Sequence, residues 1–369
     1  MLSRLAADGH EVHTVIPESG PLVSLLQDHG VIVHIYPPLA IIDRFTFRSL
    51  PNFFGFDWRF LRSVYWLATM ILRLRVDIVY TNASVIPVAA LAATLTGRRH
   101  FWHIREFFSE FPSAWILYQW YIGLLSSNII ANSQATAQQF THRLRRKCLV
   151  IYNGLNNDYG SVSADEVKRF RSTLGDPLFL VGVVGRIKWV RKGQEVLVKA
   201  AAILADEFPH VRYVIVGSCA PGYEDHLARL IALIQEKGLD DRFILTGDIQ
   251  ETEQVYAACD VTVVPSVLPE PFGSVVMESM ACGTPVIGSR TGGISEQIVD
   301  GITGFLFSPG DEVDLARALS IIILDDPLRL RMSDAGRRRI QDAFALDGAY
   351  QSFVALIGSG SDKYKRPAK

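Results

Sequence analysis

The residues best placed to do chemistry lie in Glu270-Pro-Phe-Gly-Ser-Val-Val-Met-Glu278, where two carboxylates stand eight positions apart. The segment follows an apolar stretch ending Val-Val-Pro265-Ser266 that reads as a strand. It therefore belongs at the carboxyl edge of a sheet, where open α/β sheets hold their ligands. Gly273 lets backbone approach a ligand closely, and a helix starting at Ser274 would aim unpaired N–H groups and a positive dipole end at an anion. Glu278 then sits one turn in, roughly 7 Å along the axis. Carboxylates so separated, flanking an anion site, suit hydroxyl groups at opposite ends of one long anionic ligand. Taken singly, a Glu near a helix start also serves as a dipole complement.

A second group is Val184-Gly185-Arg186 with Lys192-Gly193. A rigid guanidinium fork and a point charge beside a helix start supply what a departing diphosphate needs as its charge develops. Arg191 is adjacent and competes for the solvated position. Thr291-Gly292-Gly293 and Gly217-Ser218 read as further close-approach loops at strand ends, but no G-x-G-x-x-G is present, which argues against a nicotinamide-dependent dehydrogenase. No metal is expected. His10-Glu11-Val12-His13 is one residue short of a metalloprotease motif, no D-x-D triplet stands at a strand end, and Cys148, Cys219, Cys259 and Cys282 lack paired spacing.

These groups need a scaffold, and strands alternating with helices predict parallel sheets covered on both faces. Strands are expected at His10–Pro17, Val31–Tyr36, Val76–Thr81, Phe101–Ile104, Ser127–Ala131 and Leu149–Tyr152, then from Leu178–Val184 through Gly304–Phe307. The pattern divides the chain into a first domain over 1–155, a polar linker over 156–177 and a ligand-binding domain over 178–345. A closing helix over 346–357 and a tail over 358–369 complete it. A length of 369 residues suits two domains, and 49% apolar with 20% charged residues excludes a disordered chain. The net charge of −1 argues against nucleic acid as a partner. Residues 1–150 hold 14 Lys/Arg against 9 Asp/Glu, so the N-terminal part is expected to meet something anionic. Unpaired cysteines suit a cytoplasmic protein, soluble or peripheral on the inner face of a membrane.

Gly185-Arg186, Lys192-Gly193, the Glu270-x7-Glu278 pair inside P-E-P-F-G, then A-C-G-T-P-V-I-G and T-G-G, resemble the retaining glycosyltransferases of family 4. Gly9–Val12, Ala131–Ser133, Tyr152–Gly154 and Asp300–Leu306 agree, so the resemblance runs along nearly the whole chain. It implies an α/β fold of the GT-B type: two Rossmann-like doubly wound domains facing across a cleft, the first, over 1–155, on the acceptor side, with the last helix crossing back to it. It implies transfer of a sugar from a UDP- or GDP-sugar donor to a glycan or lipid-linked acceptor, without metal or other cofactor. Arg186 and Lys192 would then bind the diphosphate, Glu270 the transferred sugar and Glu278 the ribose. Gly185 and the backbone of Phe272, Gly273 and Ser274 would face sugar and diphosphate, with the base near Gly247 and Ile249. The family's strand-end histidine corresponds to His103 or to Arg105, and Glu106 is either on the acceptor side or a structural partner of Arg105. The resemblance also implies front-face attack, with protein groups positioning reactants and stabilising charge.

Three alternatives stay open. A glycoside hydrolase also uses two carboxylates but needs no cation cradle. A nucleotide-sugar binder without turnover is the other rival, because Gly9–Val12 matches the family's entry into its second strand, and the first domain is expected to lack its first, central strand. Phe53, Phe54, Phe56, Trp58, Phe60, Tyr65 and Trp66, interleaved with Arg59 and Arg62, suit either a helix on an anionic membrane surface or a core helix with solvated arginines.

Overall fold

The computed structural model describes residues 1–42, 50–108 and 112–358. The chain divides into two compact units. One comprises Met1–Ala131, Phe140–Leu149 and the chain from Val354; the other comprises Asn132–Gln139 and Val150–Phe353.

The first unit carries β1 (His13–Ile16), β2 (Ile32–Ile35), β3 (Ile78–Thr81), β4 (Arg99–Ile104), β5 (Asn128–Ala131) and β6 (Cys148–Val150). They form two separate groups, β1 with β2 and β3-β4-β5-β6. Among the described residues β1 pairs with β2 alone, so the expected break in this sheet is present. One apolar cluster nevertheless takes in both groups: Val15 of β1 and Val79 of β3 pack with Phe56, Val64, Leu67 and Ile71 of helix Leu50–Arg73 and with Val88 and Ala92 of helix Val88–Leu95. A second cluster sets Trp102 and Ile104 of β4 against Trp115 and Ile122 of helix Pro112–Leu125. Side chains alternate along a strand, so His103 points to the other face from Trp102 and Ile104. The closing helix runs Leu346–Gly358, and near its end Arg99 Nη1 donates to the Ile357 carbonyl at 2.8 Å.

The second unit carries β7 (Phe179–Val184), β8 (Val211–Val216), β9 (Phe243–Gly247), β10 (Val261–Val264), β11 (Val286–Ser289) and β12 (Gly304–Phe307). All six are parallel, in the order β12-β11-β10-β7-β8-β9. Strand order reverses between β7 and β10, the doubly wound pattern whose ligand crevice opens at that switch point. Both faces are covered, which is why these strands read as unbroken apolar runs. Val181, Val183, Ile215 and Val263 pack on Leu197, Leu204 and Leu319, while Leu180, Val214 and Val216 pack on Val255.

The polar stretch 156–177, expected as a linker, contains a helix, Ala164–Thr173. Ser163 and Glu166 form a reciprocal capping box at its start, and Phe170 and Leu174 pack on the Leu180–Val255 cluster. It is a covering helix of the second unit. No described helix is long and apolar enough to cross a membrane.

Candidate active site

At the switch point, the carboxyl ends of β7 and β10 face a recess lined by Val184, Gly185, Lys192, Ser266, Glu270 and Gly273. Glycine is required where the two loops meet. Gly193 has φ +67° and caps helix Gln194–Leu204, and a Cβ there would stand 1.9 Å from the Pro265 carbonyl oxygen. Gln194 Nε2 donates to the Arg186 carbonyl at 3.0 Å and so fastens the turn after β7. Between the two cations Val190 has φ +65°, a conformation a β-branched residue rarely adopts; strain of this kind collects at functional loops.

Glu270 is the centre of the cluster. Its Oε1 accepts from Lys192 Nζ and from Ser266 Oγ, each at 2.5 Å. Its backbone is braced from the Thr291-Gly292-Gly293 loop: Gly293 N donates to the Glu270 carbonyl at 2.8 Å, and a Cβ on Gly292 would stand 2.3 Å from that oxygen. Gln297 Nε2 donates to the Phe272 carbonyl. The Phe272 side chain is buried against Val264, Val276 and Phe344, so it anchors the motif and leaves only its backbone for a ligand. Gly273, at φ +79°, caps helix Ser274–Ala281, and Ser274 and Arg186 are exposed.

Four residues on, Glu278 Oε2 accepts from the Tyr256 hydroxyl at 2.7 Å. Tyr256 is fully buried, and burial together with the Glu278 carboxylate pushes its hydroxyl far above the usual tyrosine range. The hydroxyl is therefore a fixed donor. At the end of β9 Gly247 has φ +70° and its carbonyl accepts from Gly217 N at 2.8 Å; Ile249 packs in the Val216–Val255 cluster. Between them Asp248 Oδ2 accepts from Ser218 Oγ at 2.6 Å, joining two loops at strand ends.

The first unit holds the remaining expected residues. His103 Nδ1 lies 2.6 Å from the Tyr80 hydroxyl, which also donates to Asn82 Oδ1 at 3.2 Å. Burial, helped by the nearby Arg105 charge, pushes His103 down to about 3, so it is neutral at physiological pH. Arg105 Nη1 donates to Asn82 at 3.2 Å. Glu106 Oε2 accepts from Ser84 N, Ser84 Oγ and the Arg105 backbone N–H, at 3.1, 2.6 and 3.1 Å. Glu106 thus joins the Ser84 loop to the segment that follows β4.

One hub had no counterpart in the sequence reading. Within the second unit Glu296 accepts from Gln134 N at 2.8 Å, Ala135 N at 2.7 Å and the Tyr152 hydroxyl at 3.1 Å. A carboxylate there satisfies the first N–H groups of helix Gln134–Gln138 and complements its dipole. The Ala131–Ser133 and Tyr152–Gly154 segments were legible only as resemblances, and nothing in their spacing points to Glu296.

Residues 1–159 match the family described as Glycosyltransferase Family 4, and residues 164–339 the family described as Glycosyl transferases group 1. A D-inositol 3-phosphate glycosyltransferase of Corynebacterium aurimucosum is 30% identical over 291 residues, covering 76% of this chain and 67% of its own length. The chain belongs to the family 4 glycosyltransferases. A D-inositol 3-phosphate glycosyltransferase of Corynebacterium jeikeium is 39% identical over 192 residues, or 50% of this chain. The matched regions span 45% and 56% of the first two such relatives, about half their length. Among solved structures, HepE of Anabaena in complex with UDP superposes with a TM-score of 0.81 at 25% identity, over 94% of this chain and 92% of its own. Sucrose-phosphate synthase from Thermosynechococcus elongatus gives 0.73 at 26%, over 96% and 90%. The fold class is therefore GT-B.

Two of the segments that carried the resemblance to family 4, Tyr152–Gly154 and Asp300–Leu306, are closely packed in this member. Gly154 admits Leu346, whose Cα would lie 2.5 Å from a Cβ, and Gly304 admits the Val286 carbonyl, whose oxygen would lie 2.0 Å away. Asp300 pairs with Arg290 at 2.6 Å and accepts from Leu306 N at 2.9 Å, closing the turn before β12.

Proposed function

We propose that this chain transfers a hexosyl group from a UDP-sugar to an acceptor hydroxyl of a glycan or lipid-linked acceptor, with retention at the anomeric carbon. The observation that carries the reading is the Lys192–Glu270–Ser266 cluster at the switch point, beside Gly185-Arg186 and the capped start of helix Ser274–Ala281. Cations and helix N–H groups at one edge of a recess suit a diphosphate, and a carboxylate among them suits sugar hydroxyls. HepE, similar over most of its length, is described in complex with UDP, and the relatives named above carry glycosyltransferase names.

In this reading Arg186 and Lys192 hold the diphosphate and stabilise its charge as the bond between the anomeric carbon and the β-phosphate oxygen breaks. Their positive charge does the work a divalent ion does elsewhere, so no metal is invoked. The acceptor oxygen forms the new bond on the same face of the sugar, and its proton passes to the departing phosphate oxygen. Glu270 orients the transferred sugar, Glu278 the ribose, and the loop Gly247–Ile249 lies against the base. Glycan or polysaccharide assembly is the setting proposed for it.

Binding without turnover is the second reading, favoured by the pairing of β1 with β2 alone among the described residues. A panel of UDP-, GDP- and ADP-sugars scored by thermal shift, followed by release of nucleotide in the presence of acceptors, separates the two. A specific bound ligand raises apparent stability by mass action. No shift with any donor overturns both readings; a shift without nucleotide release favours the second.

A further inference from the structure

The first unit presents two apolar stripes to solvent. On helix Pro112–Leu125, Ile116, Leu117, Trp120 and Leu124 are 57, 75, 57 and 82% exposed. At 100° per residue they fall within an arc of about 100°, while Trp115, Gln119 and Ile122 turn to the core. That helix contains no charged residue. On helix Leu50–Arg73, Trp58, Leu61, Tyr65 and Leu72 are exposed within an arc of about 60°. Arg62, Arg73 and Arg59 are exposed along one flank of that stripe, and Arg75 is exposed just past the helix end.

The two helices cover the same side of the sheet. Both pack on helix Val88–Leu95, which lies over β3 and β4, while Pro112–Leu125 lies over β5. The core side of this layer is built from Val79, Trp102, Ile104 and Ile129, which strand register puts on one face. Their outward stripes therefore belong to one surface, apolar with an arginine border. Of the aromatics that suggested an interface helix, Phe56 is buried and Trp66 stacks on Tyr36, whereas Trp58 and Tyr65 are exposed; the side chains of Phe53 and Phe54 lie outside the described residues.

We propose that this surface docks on an anionic lipid bilayer, with Leu117, Trp120 and Leu124 entering the interface and Arg59 and Arg62 meeting the headgroups. Charge decides the occupant. From Phe56 to Arg75 the helix and its exit carry four arginines against Asp57 alone. A second copy seated on the same patch by two-fold symmetry would set these cations against one another. A bilayer accepts both components, because tryptophan and tyrosine settle at the headgroup level and arginine reaches the phosphates. The proposal stands on this surface alone and is independent of the reaction assigned above.

The test is cosedimentation of the full chain with phosphatidylcholine vesicles, with and without phosphatidylglycerol. Recovery is expected with the anionic vesicles and to fall at about 0.5 M salt, where screening is strong. Trp120→Glu with Leu117→Glu should abolish it without moving the thermal midpoint, since both sites are exposed. Arg59→Glu with Arg62→Glu should weaken anionic binding on the order of tenfold or more. Equal recovery on neutral and anionic vesicles would overturn the proposal, as would full binding by either double variant. A wild-type dimer that the Trp120→Glu, Leu117→Glu variant converts to monomer would assign the surface to a second copy instead.

Discussion

Ser266 and Lys192 meet on a single oxygen of Glu270, each 2.5 Å from Oε1. The second oxygen lies toward Gly273, where a Cβ would come within 3.9 Å of it. Glu270 is therefore oriented by two donors from two loops before any ligand arrives, and Lys192 is held at the recess by the carboxylate it neighbours. The ion pair is partly shielded, with side chains 30% and 13% exposed, so its geometry matters more than its contribution to stability.

Lys192→Ala and Arg186→Ala should each lower kcat by about 10²–10³ with the nucleotide-sugar that the donor panel selects, the usual cost of one preorganised charge stabiliser. Ser266→Ala should cost less, about tenfold, since Lys192 still holds Glu270. Steady-state nucleotide release checks all three, and near-wild-type turnover for both cation variants removes the diphosphate assignment.

The Tyr256–Glu278 pair predicts a different signature. Glu278→Ala should weaken nucleotide binding with little change in kcat. Tyr256→Phe removes one hydrogen bond to the carboxylate and should raise the Kd for UDP about 5–30-fold, corresponding to about 1–2 kcal/mol. Isothermal titration with UDP alone reads this apart from chemistry, and unchanged affinity in both variants would release Glu278 from the ribose role.

Which of these contacts could be read beforehand follows from where their partners lie. Helix Ser274–Ala281 and the strands of the second unit stand out because apolar runs, glycine breaks and the two glutamates are local in sequence. Tyr256, on helix Thr252–Ala258, meets Glu278 only because β10 lies between that helix and Ser274–Ala281 in the chain. Ser266, though only four residues from Glu270, is of a type that does not advertise the contact. Glu296 and the helix start at Gln134 are 162 residues apart. Helix Ala164–Thr173 had a usable signal in Ser163-x-x-Glu166, but its polar outer surface made it read as linker. Helix Pro112–Leu125 is apolar nearly all round, so it lacks the period that marks a surface helix.

Glu296 gives a stability prediction. Glu296→Ala leaves Gln134 N, Ala135 N and the Tyr152 hydroxyl without this acceptor, and should destabilise the second unit by about 2–4 kcal/mol. Glu296→Gln keeps the shape and one acceptor oxygen, so its thermal midpoint should fall between the two. Equal melting of all three proteins would show that solvent replaces the carboxylate at no cost.

The last prediction concerns acid. His100 and His103 are buried on opposite faces of β4, and burial pushes them down to about 4 and about 3. An unfolded chain takes up those protons near the ordinary histidine value of about 6.5, whereas the folded chain resists them. Between these values the unfolded state binds more protons, so stability rises with pH and is lost as pH falls below about 6.5. Each histidine can contribute up to about 1.4 kcal/mol per pH unit across that window. His100 Nε2 lies 2.8 Å from Thr81 Oγ1 and His103 Nδ1 2.6 Å from the Tyr80 hydroxyl, so glutamine at position 100, whose amide reaches as far as Nε2, and asparagine at position 103, whose amide sits where Nδ1 does, retain a polar partner without titrating. Denaturant midpoints measured from pH 7 to pH 4 should fall steeply for the wild type. For the His100→Gln, His103→Asn variant the slope should be flatter, whatever its midpoint at pH 7. Parallel slopes would mean that other groups carry the acid sensitivity.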